Sequence, residues 1–238
     1  MRKIQILSNN ALKIIAAIAM VIDHVGLLFF PKIAIYRIIG RIAFPIFAYM
    51  FAEGSYYTRN KLKHFLFLLL ATVLTQIGYF IGTQSYYASI FLVFFVSLIL
   101  IRLFDYVLCY YNQDKKFLCA TFIGLLLSSL VGVYFLTYYT DIFSQNYGFF
   151  GIIIPFILYI IKRIFNEQFL MIGTLIFLLG LRLILDHSIY MEYAFLSIIP
   201  LIFYNGERGK LKLKYFFYFF YPIHLLILYG IFYLMYLK

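Results

Sequence analysis

The chain has 238 residues, of which 65% are hydrophobic and only 12% are charged. Soluble globular domains are about 45–50% apolar and about 25% charged, so the composition excludes a soluble domain and predicts a membrane protein. The formal charge of +11 does not indicate a nucleic-acid partner, because the basic residues fall in short loops and form no continuous basic face.

Apolar runs of membrane-spanning length follow one another along the whole chain. A helix needs about 20 apolar residues to cross a bilayer, and no segment between the runs is long enough to form a separate domain. We therefore predict an all-α, polytopic helical bundle that forms a single domain over residues 1–238. Its transmembrane helices number about nine, at residues 12–30, 33–52, 64–82, 89–111, 117–139, 148–164, 168–186, 189–204 and 215–236.

The basic residues of the loops are distributed unequally between the two sides of the predicted membrane. On the side opposite the N-terminus only Lys32 and Lys238 occur, and the N-terminal side holds the clusters at residues 2–3, 59–63, 115–116, 162–163 and 208–214. Because Lys and Arg concentrate in cytoplasmic loops, the N-terminus is predicted to be cytoplasmic. We expect a multi-pass protein of the bacterial plasma (inner) membrane.

The first two predicted helices carry ionisable side chains at depths where hydrocarbon would surround them. Asp23 and His24 lie well inside the first helix, Arg37 and Arg41 lie inside the second, and Glu53 lies near its end. Each such group costs roughly 2.5–3.5 kcal/mol on insertion scales and usually faces a protein interior or water. We predict that these two helices form the wall of a site.

Helical spacing indicates how these side chains are arranged. Arg37 and Arg41 are separated by four residues and share one helix face. Adjacent residues on a helix point about 100° apart, so we expect Asp23 to pair with an arginine while His24 faces a cavity. A purely structural ion-pair cluster is the alternative. The histidine favours a functional site, because its side chain exchanges protons near neutral pH.

Other charged residues of the apolar runs have a simpler interpretation. Arg102 with Asp105, and Arg182 with Asp186, have the spacing of ion pairs within one helix, which is typical of structural neutralisation. His64 and His187 lie at predicted helix ends and are interpreted as interfacial.

The last informative stretch is a basic loop followed by a proline-containing helix. Asn205, Gly206, Arg208, Gly209 and Lys210 form a turn-rich segment. Glycines let backbone N–H groups converge on an anion such as a phosphate, although the same residues suit an ordinary cytoplasmic loop. In the helix that follows, Pro222 is flanked by two further candidate site residues, Tyr221 and His224.

Several blocks in order along the chain resemble the TraX family of integral-membrane proteins. They are LKIIAAIAMVIDHVG, RIIGRIAFPIFAYMFAEG followed by YTRN, NYGFFGI, and YNGERG with KYFFYFFYPIHL. The type member of that family is similar to an enzyme that N-acetylates the N-terminus of a conjugative pilin subunit. The family also looks like a branch of the transmembrane acyltransferases, which use acyl-CoA from the cytoplasm.

The resemblance implies roles for the candidate residues. His24 would be the catalytic base, with Asp23 beside it. The substrate-binding residues would be Arg37, Arg41, Glu53, Tyr221 and His224. Acetyl-CoA would be held by Arg59, Asn205, Gly206, Arg208, Gly209 and Lys210. No metal is expected.

The resulting prediction is a membrane-embedded acetyltransferase. It would move an acetyl group from cytoplasmic acetyl-CoA to an amine or hydroxyl acceptor, with a peptide N-terminus such as that of a pilin subunit as one candidate. Two alternatives remain at this point. One is a small proton-coupled transporter or flippase that uses the intramembrane charges Asp23–His24 and Arg37–Arg41; the other is a non-catalytic assembly factor.

Overall fold

The computed structural model describes residues 5–84, 87–140, 148–185, 189–210 and 213–236. Within these ranges the chain is helical and contains no strand, and its only β-bridge joins Leu7 to Tyr204. The all-α prediction is therefore confirmed. The elements are α1 (Asn9–Phe29), α2 (Ala34–Gly40), α3 (Ala43–Tyr57), α4 (Lys61–Thr83), α5 (Ile90–Asn112), α6 (Lys116–Tyr139), α7 (Gly148–Ile164), α8 (Gln168–Leu185), a 3-10 helix (Met191–Ser197), α9 (Ile198–Ile202) and α10 (Lys214–Tyr236).

Seven helical segments of the described residues are long and apolar enough to cross a membrane. They are α1, α2 with α3 counted together, α4, α5, α6, α8 and α10. The predicted number of nine is not confirmed, because α7 has 17 residues and the segment Met191–Ile202 is a short apolar helix. The side of the membrane on which the N-terminus lies stays a prediction.

Helix starts follow from polar side chains that cap free backbone N–H groups. Ser8 accepts from the Ala11 N–H at 3.3 Å, and Asn60 accepts from the Lys63 N–H at 2.8 Å. Ser89 does the same for the Leu92 N–H at 3.4 Å. The first N–H groups of a helix have no partner within the helix, so serine and asparagine just before an apolar run fix where it becomes helical.

The described residues form two compact units. Unit 1 comprises residues 1–56 and 161–238, and unit 2 comprises residues 57–160. Most of the candidate site residues, from Asp23 and His24 to Tyr221 and His224, belong to unit 1. The single-domain prediction over 1–238 stays a prediction.

In unit 1, α1 packs antiparallel to α2 and parallel to α10. Close approach to α2 requires glycine, since a Cβ at Gly40 would collide with the Asp23 side chain. The parallel packing follows from three contacts in the same order along both helices: Lys13 with Phe217, His24 with His224, and Phe29 with Phe232. Asp23 and His24 therefore face two different neighbouring helices.

We expect Gly40→Ala to destabilise the protein by about 1–3 kcal/mol, the usual cost of overpacking a well-packed contact. Gly173→Ala is the matched control, because a Cβ at Gly173 in α8 would meet nothing within 4 Å. That change should be neutral or slightly stabilising, since alanine is the better helix former. The measurement is the unfolding midpoint of purified protein in a detergent–SDS titration. Equal midpoints for the two variants would contradict the proposed α1–α2 packing.

Unit 2 is built on α4 and α5, with α6 packed on α5 and the start of α7 nearby. The Ser97 hydroxyl donates to the Ile152 carbonyl of α7 at 2.7 Å, and the Thr72 hydroxyl contacts the Phe91 carbonyl at 3.1 Å. Both hydroxyls also bond to the carbonyl four residues earlier in their own helix. Serine and threonine hydroxyls that bond to backbone carbonyls in this way are typical of helix contacts in membranes.

Candidate functional site

One cluster of unit 1, here called the His24 cluster, contains Asp23, His24, Arg37, Tyr221 and His224. Its first component is an ion pair in which Arg37 Nη1 donates to Asp23 Oδ2 at 2.7 Å. Both side chains are mostly buried, at 22% and 19% exposed. The prediction that Asp23 pairs with an arginine is confirmed. A buried arginine–carboxylate pair keeps both charges at this depth, because each compensates the other.

The second component of the cluster is a pair of histidines on different helices. His24 Nδ1 of α1 lies 3.1 Å from His224 Nε2 of α10. His224 Nδ1 in turn lies 3.0 Å from the Phe220 carbonyl oxygen. The family resemblance implied a substrate-binding role for His224, and the helical pattern gave no sign that it would contact His24 across 200 residues.

Aromatic rings and a further arginine complete this end of unit 1. The Tyr221 ring meets His224 edge-on at 5.2 Å and His24 at 6.3 Å between centroids. Phe220 stacks on His224 at 5.2 Å. Arg41 Nη2 donates to the Ile189 carbonyl at 3.3 Å, so it lies at the same end of α2 but reaches a different partner from Arg37.

The family resemblance grouped Glu53 with Arg37 and Arg41 as substrate-binding residues. In the structure, Glu53 lies apart from both arginines. It belongs to a second cluster, the Glu53 cluster, formed by Asn9, Glu53, Lys162 and Tyr204. Glu53 is 3% exposed and accepts hydrogen bonds from the Tyr204 hydroxyl and from Asn9 Nδ2. Lys162 Nζ lies 3.7 Å from its other oxygen. The separation follows from helix length, since His24 is 15 residues beyond Asn9, or about 22 Å along α1.

The Tyr204 hydroxyl is a donor in this cluster. Burial, together with the charge of Glu53 and their hydrogen bond, raises the pKa of the Tyr204 hydroxyl above its ordinary value. The phenol therefore stays protonated and keeps donating to Glu53. Four segments of unit 1 meet here, namely the start of α1, the end of α3, the end of α7 and the second residue after α9.

The predicted phosphate loop is held against the N-terminal segment. Its backbone pairs with residues 7–10 through four hydrogen bonds of 2.8–3.3 Å, which join Leu7 to Phe203 and Asn205, Asn9 to Glu207 and Asn10 to Arg208. Gly206 and Gly209 have φ angles of +77° and +85°, and a Cβ at Gly209 would press on the Ser8 side chain. The two glycines thus have a structural reason that is independent of any phosphate.

The other side chains that were predicted to bind CoA are exposed to solvent or form a hydrogen bond within the loop itself. Asn205 Oδ1 accepts from the Glu207 N–H at 2.9 Å, which closes a local turn. Arg208 and Lys210 are exposed on the same loop. Arg59 is exposed in unit 2. The loop therefore offers two exposed cations at the Glu53 cluster end of unit 1.

Unit 2 contains a polar cluster of which only the Arg102–Asp105 pair was predicted from the sequence. The expected Arg102–Asp105 pair is confirmed at 3.0 Å. Asp105 also accepts from Lys61 at 2.8 Å and from the Tyr159 hydroxyl. His64, interpreted as interfacial from its place at a helix end, is 6% exposed, and its Nδ1 lies 3.3 Å from Arg102 Nη2. Its depth in a membrane stays a prediction, and Asp186 and His187, which were interpreted with it, lie outside the described residues. The cluster joins α4, α5 and α7, and contacts over such long separations leave no local signal in the sequence.

We expect Asp105→Asn to destabilise the protein by about 3–5 kcal/mol, because it leaves the Arg102 charge buried without its carboxylate. Asp114→Asn is the matched control, since Asp114 forms a 4.0 Å contact with Lys116 in which both side chains are almost fully exposed. A surface change of that kind is worth less than about 0.5 kcal/mol. Unfolding midpoints of the two variants would test this. A midpoint for Asp105→Asn equal to that of Asp114→Asn would show that the cluster does not stabilise unit 2.

Helices long enough to span a bilayer, with paired charges and imidazoles among them, indicate a polytopic membrane protein that has a polar site between its helices. A family model described as TraX protein matches residues 8–232. The chain belongs to the TraX family.

The chain is also similar to two curated proteins. The chain is 27% identical over 237 residues to the probable fimbrial assembly protein FimC, serogroup H1, of Dichelobacter nodosus, which covers 91% of this chain and 92% of that protein. It is 41% identical over 69 residues to the uncharacterized protein RP591 of Rickettsia prowazekii (strain Madrid E), which covers 29% of this chain and only 27% of RP591. No solved structure matches the chain.

Proposed function

We propose that this TraX family protein is an acetyl-CoA-dependent acetyltransferase of the bacterial inner membrane, with His24 as its catalytic base. The observation that carries the proposal is the half-buried imidazole of His24, hydrogen-bonded to His224 beside the Asp23–Arg37 ion pair. A structural ion pair needs no histidine, whereas acyl transfer needs a group that takes up and returns a proton.

The chemistry assigned to the cluster is a direct transfer. The acceptor nitrogen or oxygen attacks the carbonyl carbon of the acetyl thioester while His24 takes its proton. The carbon–sulfur bond then breaks, and the CoA sulfur leaves with that proton from the His24 imidazolium. Negative charge develops on the carbonyl oxygen in between, and the guanidinium groups of Arg37 and Arg41 would stabilise it.

The donor would reach the cluster from the end of unit 1 that carries the Glu53 cluster. Acetyl-CoA bears several phosphate charges, and the exposed Arg208 and Lys210 lie at that end. The positive-inside pattern predicts that this end faces the cytoplasm. The acetyl-bearing arm would then extend along α1 for about 22 Å to reach His24.

An exported or membrane-bound polypeptide is the acceptor we favour, with its free α-amino group as the nucleophile. The support is the name of one relative, a probable fimbrial assembly protein, which matches this chain over 91% of its length. An α-amino group has a pKa near 8, so a fraction of it is unprotonated and nucleophilic at neutral pH.

Sealed vesicles test the function and the side from which the donor enters. Purified protein is reconstituted into proteoliposomes, and a short peptide with a free N-terminus is enclosed. Acetyl-CoA is added outside, and the peptide is examined by mass spectrometry. Acetylation of the enclosed peptide is expected, with none when the peptide is already blocked at its N-terminus. Passage of unmodified peptide through the membrane would instead support the transporter alternative.

A further inference from the structure

The hydrogen bonds of the His24 cluster assign His224 a role that the sequence did not suggest. The Phe220 carbonyl oxygen can only accept, so the hydrogen in its 3.0 Å contact with His224 must be on His224 Nδ1. A neutral imidazole carries one N–H, which leaves Nε2 of His224 as an acceptor. That nitrogen lies 3.1 Å from His24 Nδ1.

It follows that, when both rings are neutral, the hydrogen between them belongs to His24 Nδ1. His24 then carries no hydrogen on Nε2, and this nitrogen has the free electron pair that a base needs. Asp23 does not fill this role, although it is the neighbour of His24 in the sequence. Its carboxylate faces Arg37 and Gly40 of α2, whereas the His24 ring faces α10.

The surroundings of His224 hold its ring in place. Phe220 stacks on it with an angle of 16° between the rings, and Tyr221 meets it edge-on. His224 is 7% exposed. A ring that is held by a carbonyl, a stacked ring and an edge-on ring presents its Nε2 in a fixed direction, and a positioned acceptor of this kind selects one tautomer of its partner.

We propose that His224 is the positioning residue that fixes His24 in its Nδ1–H tautomer and so exposes His24 Nε2 as the proton acceptor of the reaction. The proposal rests on the proposed acetyltransferase function. His224 then does not contact the substrate but accepts the hydrogen bond that orients the base. In many proteins an aspartate or a backbone carbonyl has this role.

Three variants separate this role from a merely structural one. His224→Gln keeps an acceptor oxygen for His24 Nδ1, and His224→Leu removes it while filling similar space. Asp23→Asn alters the carboxylate that we place outside the relay. The tautomer of His24 is read from the nitrogen NMR shifts of protein labelled with 15N-histidine in detergent, and the His24 signals are identified by their loss in His24→Asn.

The expected result is an Nδ1–H His24 in the wild type, in His224→Gln and in Asp23→Asn, and loss of that preference in His224→Leu. Acetyl transfer should fall by roughly 10²-fold or more in His224→Leu, the lower range of a general-base effect, and by less than about 10-fold in His224→Gln. An Nε2–H His24 in the wild type, or an unchanged tautomer in folded His224→Leu, would overturn the proposal.

The NMR result does not depend on acetyl-CoA. Absence of any acetyl transfer by the wild type, with the Nδ1–H tautomer present, would refute the acetyltransferase and leave the histidine relay in place. Transfer by a wild type that shows Nε2–H on His24 would refute the relay and leave the acetyltransferase. If His224→Leu does not fold, the wild-type tautomer and the His224→Gln rescue still decide the question.

Discussion

Replacing His24 by alanine is expected to lower the rate of acetyl transfer by roughly 10²–10⁴-fold, the range attributed to a positioned general base. The reason is that the His24 ring is the proton acceptor in the proposed mechanism, where it is hydrogen-bonded to His224. The phosphate end of acetyl-CoA would bind at the opposite end of unit 1, so its affinity should change little.

The measurement for this prediction is a comparison of kcat and KM for acetyl-CoA. The base contributes in the transition state and not to ground-state binding, so kcat should fall while KM stays nearly constant. His64→Gln is the matched control, because it also replaces a histidine of a candidate membrane-spanning helix, but one that lies in unit 2. The folded His64→Gln protein should keep its kcat. A fall of kcat in both variants to the same extent would indicate a general loss of structure and contradict the role of His24.

Neutralising Glu53 by Glu53→Gln is expected to destabilise the protein by about 3–5 kcal/mol, because Lys162 would be left buried without its counter-charge. Lys162 is 6% exposed and Glu53 is 3% exposed, so water cannot take over the role of the missing partner. In a protein of this size, each kcal/mol corresponds to about 2–4 °C in Tm. The thermal unfolding midpoint in detergent should therefore fall by about 6–20 °C.

A double-mutant cycle separates the ion pair from the other bonds of Glu53. Lys162→Met alone leaves the carboxylate with Tyr204 and Asn9, and the double variant Glu53→Gln with Lys162→Met removes both charges. Replacing both partners of a buried ion pair is often close to neutral, so the double variant should be more stable than Glu53→Gln alone. Strict additivity of the two single changes would show that the 3.7 Å contact contributes no coupling.

The sequence was sufficient for the features that depend on composition and local spacing. The apolar runs predicted the helices α1, α4, α5, α6, α8 and α10 to within a few residues. The segment at 189–204 differs most. It begins near the Arg41 contact with Ile189 and ends at Tyr204 beside Glu53, but it covers this path with a 3-10 helix and a five-residue α-helix. The 3-10 helix rises about 2.0 Å per residue, against 1.5 Å for the α-helix. The segment therefore covers this distance with fewer residues than a continuous α-helix would need.

The contacts between distant segments could not be predicted from the sequence. The pairing of Asp23 with an arginine, though not the choice of Arg37 over Arg41, was predicted because these residues flank one short turn. Antiparallel geometry alone places them at a similar depth. The contact of His24 with His224, and that of Glu53 with Tyr204, depend on which helices are neighbours. Helix order in space is set by packing over the whole of unit 1, and a single sequence carries no periodic signal for it. The same limit explains why Glu53 was grouped with Arg37 and Arg41.

The central claim is that the His24 cluster transfers an acetyl group from CoA, and the most direct test is release of free CoA from acetyl-CoA by purified protein. Wild-type protein with an acceptor peptide should release the CoA thiol, detected with a thiol reagent, and should acetylate the peptide in equal amount. His24→Ala should release it at a rate at least about 10²-fold lower. Equal release by both proteins, or no binding of acetyl-CoA by the wild type, would contradict the account; in the second case Asp23 and His24 would be better explained as the proton-coupling site of a transporter.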